Sequence, residues 1–275
     1  MPQITLLLIS LALCSPLLAQ ERAPQRIVSM NVCTDQLLLL LVDKSRIASL
    51  SQYAIDPAYS SLTAEATGLE LNRGQAEQVM ALQPDLVLTS TFSATFAASV
   101  LQRLHQRVER LGFAASLADV DAQIVSLGEW TDSRTKADAL IAALHGRIDN
   151  YIASLTPLLH GKKAVFISSN GVAFGSGTLQ HEFLHSVGLR NIAAEAGLQG
   201  PSQLPLELLL AAQPDFIISE PRGDLDREQA HPLMLHRALQ RLHPQQLMLA
   251  DRWFDCAGPW LADAYAALAD QVMLP

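Results

Sequence analysis

Residues 133–159, SRTKADALIAALHGRIDNYIASLTPLL, carry the pattern of one long helix. Their apolar members fall at 137, 140, 141, 144, 148, 152 and 155, the spacing of a single buried face. Asp132 or Ser133 stands where a cap belongs, and Thr156-Pro157 with Gly161 marks the end. At about 1.5 Å per residue the helix spans roughly 35–40 Å, the width of a small domain. Apart from Gly146 its interior holds no Gly or Pro, which predicts a rod that resists hinge bending.

The same unit stands on both sides of this rod. Before it, Glu77-Gln78-Val79-Met80-Ala81-Leu82-Gln83-Pro84-Asp85 leads into the apolar run Leu86-Val87-Leu88-Thr89-Ser90. After it, Glu207-Leu208-Leu209-Leu210-Ala211-Ala212-Gln213-Pro214-Asp215 leads into Phe216-Ile217-Ile218-Ser219. Proline stops a helix and pushes its predecessor toward extended backbone, so each copy reads as helix, turn, strand. Either copy alone is an ordinary α/β turn. Two copies flanking one long helix predict two similar lobes.

The length of 275 residues fits two domains, and 49% hydrophobic with 17% charged residues is a globular balance. A net charge of −8 argues against a nucleic-acid binder, which normally shows a basic face. Ile4 to Cys14 is apolar but too short to span a bilayer, and Ser15 to Ala19 follows as a cleavage region, so 1–19 reads as a secretory signal peptide. Cys14 would suit a lipid anchor, but bulky Leu13 stands where a small residue is expected, and a cleaved, exported chain is preferred. Export leaves Cys33 and Cys256, either a disulfide or two buried thiols; the even pair in an oxidising compartment favours the bridge.

Strands are expected at 26–29, 47–50, 86–89, 164–168, 216–219 and 246–250, and helices at 35–42, 75–82, 100–111, 179–187, 207–212, 235–242 and 260–272. Alternation with short links predicts a parallel sheet in the first lobe, with the second repeating the plan. The divisions are 20–131 for the first lobe, 132–160 for the connecting helix and 161–275 for the second lobe. Ligands of open α/β sheets sit beyond the carboxyl ends of strands. The loops after residues 29, 50, 89, 168 and 250 therefore form the expected binding surface, carrying Asn31, Tyr53, Phe92, Phe174, Trp253 and Phe254. Gly171 to Gly177 lacks the spacing of a nucleotide fingerprint.

His181-Glu182-Phe183-Leu184-His185 matches the zincin pattern of two histidines one turn apart with a glutamate between them. The metzincin form would need a third histidine where Asn191 stands, and Glu195 or Glu207 would have to serve instead. A zinc hydrolase built on His181 and His185 is the alternative reading. The preferred one buries Leu179, Phe183, Leu184 and Val187 and leaves both histidines solvated.

Taken together, Arg26-Ile27-Val28-Ser29, Gly74-x-x-Glu77 with Leu82-x-Pro84-Asp85-Leu86, Gly175-x-Gly177-Thr178 with Gly188 and Asn191, and Glu207 with Pro214-Asp215 resemble one family. It is the iron-siderophore and vitamin B12 class of ABC-transporter periplasmic binding proteins, and the resemblance covers about residues 25–273. It implies two Rossmann-like lobes joined by a single long α-helix, with no catalytic residues, resident metal or cofactor. Asp251-Arg252-Trp253-Phe254-Asp255-x-Ala257-x-Pro259 is similar to the Trp-Phe-Glu-x-Ala-x-Pro loop of vitamin B12-binding members, and Ser51-Gln52-Tyr53 resembles their aromatic loop. Tyr53, Trp253 and Phe254 would then face the ligand, a corrinoid by preference. No tryptophan stands between residues 20 and 129, where those members use several, so haem and ferric siderophores stay in view, with Arg73, Arg222 or Arg252 for an anionic chelate. Glu77 and Glu207 match the family's paired glutamates, which implies docking of a monomer onto arginines of an inner-membrane permease.

Overall fold

The computed structural model describes residues 22–168, 171–220 and 236–273. The expected signal segment with Cys14, and Arg222, lie outside the described residues. The first half contains β1 (Ile27–Ser29), α1 (Val32–Leu41), β2 (Ile47–Ser51), α2 (Thr63–Ala66), β3 (Leu71–Asn72), α3 (Ala76–Ala81), β4 (Leu86–Ser90), α4 (Thr95–Arg103), β5 (Val108–Leu111) and α5 (Leu117–Trp130). The long helix α6 (Arg134–Leu159) then leads into β6 (Lys163–Ser168), β7 (Val172–Phe174), α7 (Leu179–Ser186), β8 (Arg190–Asn191), α8 (Ile192–Glu195), β9 (Pro201–Gln203) and α9 (Leu206–Ala212). The chain closes with β10 (Phe216–Glu220), α10 (Arg237–Gln240), β11 (Gln245–Met248), α11 (Arg252–Asp255) and α12 (Leu261–Met273).

The first sheet runs β3-β2-β1-β4-β5, and every neighbouring pair is parallel. The strand order reverses between β1 and β4, which opens a crevice at their carboxyl ends. The second sheet runs β11-β10-β6-β7-β9, with β8 also beside β6. It departs from the expected repeat of the parallel plan, because β7 is antiparallel to β6 and β9 is antiparallel to β7. Only three residues separate Ser168 from Val172, and the Gly171 N–H donates to Ser168 O, so no crossover fits in the link.

Successive strand residues face opposite cores. Ile27, Leu86, Leu88, Ala164, Phe166, Phe216 and Ile218 enter one large cluster that also takes Ala137, Leu144, Ile148, Leu155 and Leu159 of α6. Their alternates Val28 and Val87 face a smaller cluster under α3 and α4, while Val165, Ile167 and Ile217 face another with Ile192, Leu209 and Leu239. The two lobes are therefore joined by one continuous apolar core, and α6 forms part of it.

The repeated Gln-Pro-Asp units do the same work in each lobe. Gln83 and Gln213 both end their helices in the left-handed region, at φ 50 and φ 52. The Asp85 carboxylate accepts from Gln25 N–H at 2.6 Å and Arg26 N–H at 2.9 Å, and Asp215 accepts from Lys163 N–H at 2.7 Å. Arg26 and Lys163 in turn donate to the last carbonyls of the preceding helices, Leu82 O and Ala212 O. Each unit thus clamps the head of its lobe's central strand, β1 or β6, to the unit's own helix, α3 or α9. Asp85→Ala and Asp215→Ala are each expected to lose about 1–2 kcal/mol in urea unfolding, as charge-assisted bonds at an exposed position. An unchanged midpoint in both would remove this role.

At 26 residues α6 is about 39 Å long. It packs against α5 and α12, and polar pairs fasten it to each: His145 with Asp121 at 2.9 Å and Arg147 with Asp263 at 2.5 Å. Its start differs from expectation. Ser133 makes no side-chain cap and Asp132 takes a positive φ of 55, while Arg134 pairs with Glu129 and Asp138. Its end differs too: Pro157 lies inside the last turn, where its missing N–H forfeits a single bond and the helix continues to Leu159. The expected helix over 100–111 is in fact the end of α4 followed by β5. His105, at φ 62, breaks the helix, and Val108 and Leu111 continue an edge strand whose polar residues are half-buried. Only Arg237–Gln240 of the expected 235–242 helix forms among the described residues.

Candidate functional site

The carboxyl ends of β1 and β4 are stitched together by Asn31. Its Oδ1 caps α1 by accepting from Cys33 N–H at 3.0 Å, and its Nδ2 donates to Ser93 Oγ at 2.8 Å. Beneath it a buried polar network joins β1, β2 and β3: Asn72 Nδ2 donates to Ser29 O and Ser49 Oγ, both at 2.8 Å. Asp35 belongs to the same network. Its carboxylate accepts from Ser51 N–H at 3.0 Å and from Ser51 Oγ at 2.5 Å, and Ser51 opens the turn Gln52–Ile55 that carries Tyr53. Burial pushes the Asp35 carboxyl up to about 7, against the lowering effect of the serine bonds.

Above this floor lies a cavity of about 290 Å³ between the lobes, lined by Asn31, Cys33, Phe92 and Phe113 from the first and Phe254 and Cys256 from the second. Cys33 and Cys256 are joined as a disulfide, with their Cα atoms 4.8 Å apart, so a covalent tie between the lobes forms part of the wall. A second concavity of about 470 Å³ continues from it through Asn31 and Ser93 and is lined by Tyr53, Tyr59, Arg73 and Gly74. Tyr53 meets Tyr59 edge-on at 5.2 Å, and Phe92, 80% exposed, meets Phe113 in the same way at 6.5 Å.

The expected ligand residues divide accordingly. Asn31, Tyr53 and Phe92 share the continuous trough. Phe254 reaches its wall but is only 5% exposed, because the ring packs against Phe166 at 5.2 Å and Phe183 at 5.4 Å. Trp253 is half-buried under the Arg252 guanidinium, and Phe174 packs on the core with its carbonyl accepting from Asn191; neither lines the trough among the described residues. Tyr59 and Phe113 escaped the sequence reading. Phe113 sits just beyond β5, a position that marks it as a loop residue at a strand's carboxyl end once 108–111 is read as a strand.

Glu77 and Glu207 occupy the second position of α3 and α9, and both are exposed, with no hydrogen bond or ion pair among the described residues. The zincin pattern takes another course. Glu182 Oε1 accepts from Leu117 N–H at 2.9 Å, capping α5 from the opposite lobe, and Asn191 Nδ2 lies 3.2 Å from His181 Nδ1. Burial, then the neighbouring His185 charge, lowers the His181 pKa. No group of three or more His, Cys, Asp or Glu is placed to hold a metal ion among the described residues, so the hydrolase reading lacks its third ligand.

Residues 27–244 match the sequence pattern of the family described as periplasmic binding protein. The chain belongs to that family. Its fold is shared with solved structures of low sequence identity. The periplasmic heme-binding protein RhuT from Roseiflexus sp. RS-1 superposes with a TM-score of 0.74 at 18% identity, over 90% of this chain and 97% of that one. The periplasmic vitamin B12-binding protein BtuF of Vibrio cholerae gives 0.67 at 16% identity, over 91% and 97%. An ABC transporter substrate-binding protein from Listeria monocytogenes EGD-e gives 0.70 at 16% identity, over 91% and 98%. No curated protein matches this chain in sequence. The family and these neighbours are substrate-binding proteins, and no helix among the described residues of this periplasmic binding protein is long and apolar enough to cross a membrane.

Proposed function

We propose that this periplasmic binding protein is exported by its cleaved 1–19 segment, captures a metal tetrapyrrole in the interlobe trough, and delivers it to an ABC permease docked on Glu77 and Glu207. A corrinoid is the favoured ligand. The observation that carries the reading is the trough itself: it lies at the strand-order reversal of the first sheet, and its lining includes the rings of Tyr53, Tyr59, Phe92, Phe113 and Phe254 with polar edges from Asn31, Ser93 and Gln123 and one charge of each sign, Arg73 and Asp255. Such a surface suits a large, nearly neutral macrocycle fringed with amides. Haem is the second reading, favoured by Tyr53, Tyr59 and Arg73 sharing one concavity, since a phenolate can ligate iron and a guanidinium can meet a carboxylate.

Thermal unfolding with cobalamin, haem and a ferric siderophore tests both. A ligand at a hundred times its Kd stabilises the folded state by about 2.7 kcal/mol, which raises the midpoint by roughly 5–10 °C in a chain of this size. The expected result is a concentration-dependent rise with cobalamin. A rise with haem alone transfers the assignment to the second reading, and a flat response to all three ends the proposal.

A further inference from the structure

Residues 51–61 form a strap that brings Tyr53 and Tyr59 to the trough, and its two ends are tied to consecutive residues of α1. At its head the fully buried Asp35 bonds Ser51 twice, through the N–H and through the hydroxyl. At its tail Gln36 Oε1 accepts from Ser61 N–H at 2.7 Å. Between the ties Asp56 turns the strap on itself, its carbonyl accepting from Ser60 N–H at 2.8 Å and its carboxylate from Ala58 N–H at 2.9 Å. Of residues 52–59 only Ala54 is buried, so the ties carry much of what holds the two tyrosines in place. The tail tie is incomplete: Gln36 is fully buried, yet its Nε2 and the Ser61 Oγ have no hydrogen-bond partner among the described residues. A buried donor left without an acceptor opposes the arrangement that strands it, which leaves the head tie to fix the strap.

That head tie depends on a proton. Helix α1 packs against β1, β2, β4, the turn Gln52–Ile55 and α5. The titratable groups on those elements are Tyr53, Asp119, Asp121 and Glu129, and none of them acts on the Asp35 carboxyl, which is governed by burial and by its bonds to Ser29 and Ser51. A neutral carboxyl can keep these bonds in a dry site, whereas an ionised one is stable there only if water reaches it. Among the surrounding elements the turn that opens the strap is the least buried, so it is the one able to yield. We propose that Asp35 and Gln36 are positioning residues for Tyr53 and Tyr59: the trough grips its ligand while Asp35 is protonated, and ionisation of Asp35 frees the head of the strap and loosens the grip. The coupling to a ligand rests on the capture function proposed above. Because burial raises the Asp35 carboxyl to about 7, the neutral form dominates below that value, and the grip is lost as the pH rises through it.

The test is hydrogen exchange of the full chain, read peptide by peptide at pH 6 and pH 8, together with cobalamin and haem affinities at the same two values. Wild type is compared with Asp35→Asn, which cannot ionise, and with Ser51→Ala, which lacks the hydroxyl bond. Exchange of residues 51–61 is taken relative to that of α6, so the general acceleration of exchange with pH cancels and the wild type alone already gives a reading. The wild-type strap is expected to exchange about threefold faster or more at pH 8 than at pH 6 on this relative scale, with Asp35→Asn unchanged and Ser51→Ala fast at both. Wild-type ligand affinity should fall by up to about tenfold over the same interval, and that of Asp35→Asn should hold. A pH response spread evenly over all peptides shows only a change in global stability and overturns the proposal. So does a strap that responds while wild type and Asp35→Asn lose affinity in parallel. Binding of neither ligand by the wild type at either pH removes the capture function and the grip with it, while the exchange data still decide whether Asp35 holds the strap.

Discussion

The double variant Cys33→Ser/Cys256→Ala is expected to unfold roughly 10 °C below the wild type, a loss of about 3–5 kcal/mol. The bridge closes a loop with a sequence separation of 223 residues, so in the unfolded chain it restrains almost the whole polypeptide. That places the effect toward the upper end of the usual range. It also joins the head of α1 in the first lobe to the loop after α11 in the second, on the cavity wall between Phe92 and Phe254. Its loss should therefore increase the rate of ligand dissociation as well as lower the midpoint. Wild-type protein melted in excess reductant should reproduce the variant. Coincident melts of oxidised, reduced and substituted protein would show that the core alone fixes the lobes.

The second large effect belongs to Asp35, which is fully buried and has no ion pair among the described residues. Its carboxyl is raised from 3.8 to about 7, so the folded state holds a proton that the unfolded chain has already released. The favourable contribution is then complete below about pH 4 and is lost as the pH rises from there through about 7. Across that window the wild type should lose on the order of 3–4 kcal/mol through this one group. Asp35→Asn keeps an acceptor for the Ser51 N–H and cannot ionise. It should match the wild type at pH 4 and exceed it by about that margin at pH 8 in denaturant unfolding. Parallel pH profiles for the two proteins would mean that water or another proton donor already relieves the charge.

The connecting helix was legible because its buried face is long and regular: Ala137, Leu144, Ile148 and Leu155 are buried, and Leu140, Ile141 and Ile152 pack partly against the core. The Gln-Pro-Asp repeat was legible as two turns, and its deeper symmetry, with each aspartate clamping a strand head, needed coordinates. What escaped the sequence shares one cause, which is contact between distant segments. Val108 and Leu111 are three residues apart, a spacing that fits a continuing helix and not the alternation of a strand, and only pairing with β4 reveals the strand. That error hid Phe113. Glu182, spaced like a catalytic base, instead caps a helix 65 residues away. Asp35 looked like the opening residue of an apolar helix, and nothing local shows that Ser51 folds over it. Counting favoured the pairing of Cys33 with Cys256 over two buried thiols without deciding it, and gave no sign of its position on the cavity wall.

The continuous apolar core shared by α6 and both sheets has one further consequence. Prising the halves apart would expose Leu144, Ile148 and Phe166 to water, so ordinary thermal motion cannot work the molecule like a clamshell trap. It behaves as a fixed calliper, its aperture set before any cargo arrives. With the delivery function proposed above, selection is by gauge, and the force that empties it comes from the transporter it lands on.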